Sequence, residues 1–164
     1  MFLVFLLAEI VPYGRYIAIA IFVVAAITDA LDGHLARSKN LITNFGKFLD
    51  PVADKLLVCA ALVALVELGV LPSWVVIVII SREFILMAFR MVASASNLIL
   101  AADKIGKLKT VFQMTMIIYL MLMFNTPFMV QLGNVLIGLT VILTIVSAGN
   151  YILKNLSILR LDKV

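Results

Sequence analysis

Long, nearly unbroken apolar runs are the feature that most restricts the fold of this 164-residue sequence. Hydrophobic residues make up 65% of the chain and charged residues 13%, whereas a soluble domain is roughly half apolar and about 25% charged. Because one small core cannot bury so much apolar surface, the chain is predicted to be an integral membrane protein. Transmembrane strands would alternate in polarity over short blocks. These runs instead predict an all-α, polytopic membrane helical bundle.

Six apolar segments can be drawn, and they predict six transmembrane helices in a single membrane domain over residues 1–164. Their approximate bounds are 1–10, 16–39, 43–69, 72–96, 105–125 and 128–153. The first is too short to span, because ten helical residues cover about 15 Å of a hydrocarbon core of about 30 Å. We therefore expect the first helix to be truncated at its N-terminus. The breaks coincide with turn signals, at Pro12-Tyr13-Gly14, Gly69 with Pro72, Asp103-Lys104 and Asn125-Thr126-Pro127.

Basic residues alternate between the connections. They flank the second and fourth connections and the C-terminus, whereas the third and fifth connections contain none. By the positive-inside rule, the second and fourth connections and the C-terminus are predicted to be cytoplasmic. The net charge of +4 is therefore interpreted as a signal of membrane orientation. Because no basic patch is interleaved with aromatic residues, we do not expect nucleic-acid binding.

The densest charge cluster contains two pairs of aspartates. Asp29 and Asp32 are three residues apart, and Asp50 and Asp54 are four apart, so each pair lies on one face of a helix. The pairs are predicted near the cytoplasmic ends of consecutive antiparallel helices, where the two faces can meet. Four carboxylates together repel one another, and hard cations with oxygen ligands relieve this repulsion. The cluster therefore predicts two Mg²⁺ or Mn²⁺ ions, which could clamp a diphosphate.

Two glycines and an arginine accompany these carboxylates. Gly33 lies one turn after Asp29, and Gly46 lies one turn before Asp50. A missing side chain on the carboxylate face lets a phosphate approach the backbone. Arg37, two turns after Asp29, can offer a forked donor to phosphate. Solvated charges at helix ends could explain one carboxylate pair, but ionisable residues near membrane depth are usually functional.

These residues resemble the signature of the CDP-alcohol phosphatidyltransferase family, D-x-x-D-G-x-x-A-R, eight residues, then G-x-x-x-D-x-x-x-D. All fixed positions match, at Asp29, Asp32, Gly33, Ala36, Arg37, Gly46, Asp50 and Asp54. The resemblance implies that Asp29, Asp32 and Asp50 bind two metal ions that hold the diphosphate of CDP-diacylglycerol. It implies that Asp54 lies at the metal site and is the base that deprotonates the acceptor alcohol. The glycines, Ala36 and Arg37 are then expected to line the diphosphate site.

The signature does not define the acceptor alcohol. The remaining charged residues within the apolar segments narrow the choice of acceptor. Arginine at membrane depth costs several kcal/mol unless it is paired or faces a wet cavity. A cavity lined by Arg and Lys and facing the metal site would suit an acceptor that is itself a phosphate ester. The predicted acceptor-phosphate residues are Arg82, Arg90, Lys104, Lys107, Lys109 and Thr110.

Two stretches refine the resemblance. Ser81-Arg82-Glu83-Phe84, and the residues 106–110 together with Gln113, resemble the phosphatidylglycerophosphate synthase branch of the family, which uses glycerol 3-phosphate. A structural alternative pairs Arg82 with Glu83 and treats the lysines as positive-inside anchors. Further alternatives keep the chemistry but use serine, an inositol phosphate or a phospholipid as acceptor. More remote alternative functions are those of an intramembrane prenyltransferase and of a divalent-cation transporter.

The family resemblance also implies the setting of the enzyme. Members are six-helix bundles, usually homodimers, and the expected location is the bacterial cytoplasmic (inner) membrane with the active site on the cytoplasmic side. Members begin with a short amphipathic segment that contains Asn, Thr and Arg and helps line the nucleotide pocket. This chain begins Met1-Phe2-Leu3, within the expected first span. We therefore expect that segment to be missing, in agreement with the short first run.

Overall fold

The part of the chain that the structure, a computed structural model, describes is predominantly helical. The backbone is described for residues 13–38, 44–95, 104–122 and 126–155, and side chains for residues 13–28, 55–93, 105–122 and 126–155. Five helices form, and no strand occurs within these ranges. They are α1 (Gly14–Ser38), α2 (Asn44–Glu67), α3 (Ser73–Ala95), α4 (Lys104–Met121) and α5 (Pro127–Lys154).

The all-α prediction is confirmed, and the five later apolar segments coincide with the five helices to within a few residues. The first predicted segment, 1–10, lies outside the described residues. The count of six transmembrane helices therefore stays a prediction.

The helix ends form where the turn signals predict them. Gly69 adopts a left-handed φ of 68°, which glycine reaches without the steric penalty of a side chain. This bend lets the N–H of Val70 donate to Leu65 O at 3.0 Å, a typical cap of a helix C-terminus. Pro72 follows before α3 begins. Pro127 occupies the first turn of α5, after an extended Thr126, the position in which proline favours helix initiation.

The chain divides into two compact units. The first contains the described residues up to Leu71 together with the last residues of α4, and the second contains α3, α4 as far as Tyr119, and α5. In the first unit, α1 contacts α2. Fully buried side chains there include Ala18 and Phe22 on α1, Ala61, Leu62 and Leu65 on α2, and Met121 at the end of α4. Alanines in such an interface let two helices approach closely.

In the second unit, α3 and α5 pack against each other. Arg82 contacts Ser147, and further along both helices the guanidinium of Arg90 lies over the ring of Tyr151. Because both contacts advance in the same chain direction, α3 and α5 run parallel. This is the arrangement expected when one helix, α4, returns between them.

α5 has the properties of a membrane-spanning helix. Its 28 residues extend about 42 Å, and among the described residues it is the one helix that is both long and apolar enough to cross a bilayer. Only 22% of its most apolar window is buried, whereas the core helix of a soluble protein would be mostly buried. Its outward-facing side chains include Ile142, Ile145 and Val146. By contrast, α3 contains three charged residues, Arg82, Glu83 and Arg90, within its length.

Candidate active site

The residues of the aspartate signature lie on α1 and α2. Asp29 and Asp32 belong to the C-terminal half of α1, and Asp50 and Asp54 to the N-terminal half of α2. At about 100° per residue, the first pair is separated by about 60° around its helix and the second by about 40°. Each pair therefore occupies one face of a regular helix. The side chains of these four aspartates lie outside the described residues.

The two aspartate pairs lie at the same end of the first unit. α2 begins only six residues after α1 ends, and the two helices contact each other. Such a short connection makes consecutive helices antiparallel neighbours. The same end also contains the backbone of the other signature residues, Gly33, Ala36, Arg37 and Gly46, whose side-chain positions are again outside the described residues.

The four carboxylates have the donor chemistry that Mg²⁺ and Mn²⁺ require, because both ions prefer oxygen ligands. Among the side chains that the structure describes, no group of three or more His, Cys, Asp or Glu residues could hold a metal ion. The metal-ligand roles of Asp29, Asp32, Asp50 and Asp54 therefore stay predictions.

The second unit contains a polar cluster that joins three helices. Nη1 of Arg82 on α3 lies 3.0 Å from Oε1 of its neighbour Glu83. Nζ of Lys109 on α4 donates to the same carboxylate oxygen, and Nη2 of Arg82 donates to Oγ of Ser147 on α5 at 2.9 Å. We refer to Arg82, Glu83, Lys109 and Ser147 as the Arg82 cluster.

The Arg82 cluster is largely shielded from solvent and contains more cations than carboxylates. The exposed side-chain fraction is 11% for Arg82, 10% for Glu83 and 2% for Lys109. One carboxylate opposes two cations, so the formal charge of the cluster is +1. Removing an ion from water costs several kcal/mol unless a partner compensates it. Two cations beside one carboxylate form a site that suits a bound phosphate.

The guanidinium of Arg82 is oriented by its neighbours. Ser147 donates its own hydroxyl hydrogen to Thr144 O at 3.1 Å, so its oxygen is available to accept from Arg82. The two Nη atoms are thereby fixed against α3 and α5. The buried Nε atom has no hydrogen-bond partner among the described residues. An oriented guanidinium with an unsatisfied N–H is a suitable donor to a phosphate oxygen.

The other predicted acceptor residues lie outside this cluster. Lys107 and Thr110 are on the exposed side of α4, where the Thr110 hydroxyl donates to Gly106 O at 3.1 Å. Arg90 is exposed near the end of α3, with its guanidinium carbon 5.7 Å from the centre of the Tyr151 ring. Lys104 begins α4, and its side chain lies outside the described residues.

Several residues of the second unit were missed by the interpretation of the sequence. Thr140, Thr144, Ser147 and Tyr151 recur every three or four residues along α5 and are all buried. That periodicity places them on one face of the helix. A polar face within an otherwise apolar helix was visible in the sequence and could have identified Ser147 as a partner for an intramembrane charge.

The class of protein follows from the signature helices and from comparison with known families. The family profile described as CDP-alcohol phosphatidyltransferase matches residues 1–146, and this chain belongs to that family. One relative, from Bacillus subtilis, is 42% identical over 155 residues, covering 93% of this chain and 80% of the relative. Its name is CDP-diacylglycerol–glycerol-3-phosphate 3-phosphatidyltransferase.

Further relatives have related names. A Mycobacterium tuberculosis protein named probable phosphatidylglycerophosphate synthase is 38% identical over 143 residues, covering 87% of this chain and 68% of the relative. A Rickettsia bellii protein with the same name as the Bacillus relative is 32% identical over 143 residues, covering 85% of this chain and 79% of the relative. The resemblance to the phosphatidylglycerophosphate synthase branch is therefore confirmed.

Replacing Ser147 with alanine should destabilise the second unit. The substitution removes the acceptor for Nη2 of Arg82, and a hydrogen bond to a charged group contributes about 1.5–3 kcal/mol. The free energy of unfolding in detergent micelles measures the effect. Ser81→Ala, at an exposed position next to Arg82 on α3, is the matched control and should change it by less than about 0.5 kcal/mol. Equal effects of the two variants would contradict a role for Ser147 in holding Arg82.

Proposed function

We propose that this protein transfers the phosphatidyl group of CDP-diacylglycerol to glycerol 3-phosphate, with phosphatidylglycerophosphate and CMP as products. The single observation that carries the choice of acceptor is the buried Nε of Arg82, which has no hydrogen-bond partner among the described residues and belongs to a cluster of two cations and one carboxylate. The relatives support the same reaction, because the names of the Bacillus and Rickettsia proteins contain both substrates.

The donor half of the reaction is assigned to the signature helices. Asp29, Asp32 and Asp50 would hold two divalent ions, Mg²⁺ or Mn²⁺, with Asp54 at the same site. The ions, when bound, supply positive charge that stabilises the diphosphate oxygens. The signature residues expected to lie along the diphosphate are Gly33, Ala36, Arg37 and Gly46. At Gly33 and Gly46, the absence of a side chain leaves space for phosphate oxygens.

Asp54 is assigned as the base. Its carboxylate takes the proton from the 1-hydroxyl of glycerol 3-phosphate, and the resulting alkoxide forms a bond to the lipid-linked phosphorus of CDP-diacylglycerol. The bond between that phosphorus and the oxygen that bridges to CMP breaks, and CMP leaves with the electron pair. A positioned base contributes typically 10²–10⁴-fold to such a step.

The acceptor half is assigned to basic residues of the second unit. The Nε–H of Arg82 and the ammonium of Lys109 are the buried donors for the phosphate of glycerol 3-phosphate. Arg90, Lys104, Lys107 and Thr110 would complete the acceptor site. Purely structural ion pairs of Arg82 and Lys109 with Glu83 would explain those contacts. They would not explain the buried Nε of Arg82, which has no hydrogen-bond partner among the described residues.

The proposed setting is a bacterial cytoplasmic membrane. Residues 1–164 would form one functional domain with six spans, as a homodimer, with the active site on the cytoplasmic side. The apolar, outward-facing surface of α5 supports insertion in a bilayer, and the alternation of basic residues between connections supports the orientation.

An acceptor panel tests the proposed function. The purified protein in detergent is given CDP-diacylglycerol, Mg²⁺ or Mn²⁺, and one radiolabelled acceptor at a time: glycerol 3-phosphate, serine, inositol phosphate or phosphatidylglycerol. We expect label from glycerol 3-phosphate to enter lipid at least 100 times faster than any other label, because only this acceptor matches both the phosphate and the small polyol. Preferential incorporation of another alcohol would contradict the acceptor assignment.

The base assignment has its own test. Asp54→Asn retains the size of the side chain but cannot accept the hydroxyl proton, so turnover should fall by at least 10²-fold. Metal-dependent binding of CDP-diacylglycerol should remain largely intact. Glu67→Gln, at the opposite end of the same helix and exposed, serves as the control and should retain full activity. Normal turnover by Asp54→Asn would show that another group is the base.

A further inference from the structure

Gln113 on α4 is a buried polar residue that neither the signature nor the ion pairs explain. Its exposed fraction is 4%, and its Oε1 has no hydrogen-bond partner among the described residues. A buried acceptor left unsatisfied costs about 1–3 kcal/mol. Such a group is retained in an apolar helix more readily when a ligand satisfies it.

The position of Gln113 connects it with the Arg82 cluster. It lies four residues after Lys109, and both residues are buried on α4. Side chains four apart lie on the same face of a helix, with Cβ atoms about 5–6 Å apart. A phosphate bound at Lys109 and Arg82 would therefore place the rest of a small ligand within reach of the Gln113 amide.

The chemistry of the amide defines the group it would bind. A fully ionised phosphate has no hydrogen to donate to Oε1, whereas a hydroxyl both donates and accepts, and so can bond the amide in either orientation. The ligand group near Gln113 is then a hydroxyl on the same molecule as the phosphate. Glycerol 3-phosphate has two hydroxyls, one of which is consumed in the proposed reaction.

We propose that Gln113 binds the secondary, non-reacting hydroxyl of the acceptor and so determines specificity for a polyol phosphate with adjacent hydroxyls. This inference rests on the proposed function and refines it. A phosphate recognised by charge alone would not distinguish among short hydroxyalkyl phosphates. The buried amide adds that distinction, because an analogue without the hydroxyl leaves Oε1 unsatisfied.

The experiment compares kcat/KM for glycerol 3-phosphate and for 3-hydroxypropyl phosphate, which lacks only the secondary hydroxyl. We expect the wild-type protein to prefer glycerol 3-phosphate by about 10- to 100-fold, the range for one or two hydrogen bonds to a buried polar group. Gln113→Met retains the length of the side chain and removes the amide. It should lower the preference to below about 3-fold, through slower use of glycerol 3-phosphate alone.

Two controls make the outcome interpretable. Retained activity of Gln113→Met on 3-hydroxypropyl phosphate shows that the variant folds, and removal of an unsatisfied buried amide should not destabilise it. Gln131→Met, at an exposed position on α5, should leave the preference unchanged.

The inference would be overturned by an unchanged preference in Gln113→Met, or by a wild-type protein that uses both phosphates equally well while making phosphatidylglycerophosphate. In those cases the proposed function stands. Failure of the wild-type protein to use glycerol 3-phosphate would overturn the proposed function and this inference together.

Discussion

The second unit depends on a single carboxylate that is shared by two buried cations. Glu83 contacts both Arg82 and Lys109 and thereby links α3 to α4, while Ser147 extends the same network to α5. Ionised groups in apolar surroundings are expensive unless they are paired. Glu83 pairs with both cations, and the formal charge of the Arg82 cluster is +1. The three helices are thus held together by a network whose formal positive charge suits an anionic ligand.

The signature carboxylates and the buried cations lie on different helices, as the proposed chemistry requires. The signature carboxylates are on α1 and α2, whereas the buried cations are on α3 and α4. Both substrates of the proposed reaction are phosphate esters, so each needs positive charge in its site. Bound metal ions would provide it for the diphosphate, since carboxylates cannot. Arginine and lysine side chains would provide it directly for the smaller acceptor.

Structural features that depend on neighbouring residues were predicted from the sequence more completely than contacts between distant residues. Five helix positions follow from apolar length and from breakers such as Gly69 and Pro127, because these act within a few residues. The pairing of Arg82 with Glu83 was considered as a structural alternative because the residues are adjacent. The contact of Lys109 with Glu83 spans 26 residues and depends on how far α4 is shifted along α3, which no local pattern specifies. Ser147 was missed because serine and threonine in an apolar helix resemble small packing residues, and the polar face that they form was not read as a partner for a charge.

The assignment of the acceptor site depends on binding of the acceptor phosphate by the Arg82 cluster. The most direct measurement is the KM for glycerol 3-phosphate in Arg82→Lys, with the KM for CDP-diacylglycerol measured in parallel. Lysine retains the charge but loses the planar fork of donors, so we expect at least a 10-fold higher KM for glycerol 3-phosphate and little change for the lipid donor. An unchanged KM for glycerol 3-phosphate in a folded, active variant would contradict binding of the acceptor phosphate by Arg82 and leave Arg82 a structural residue.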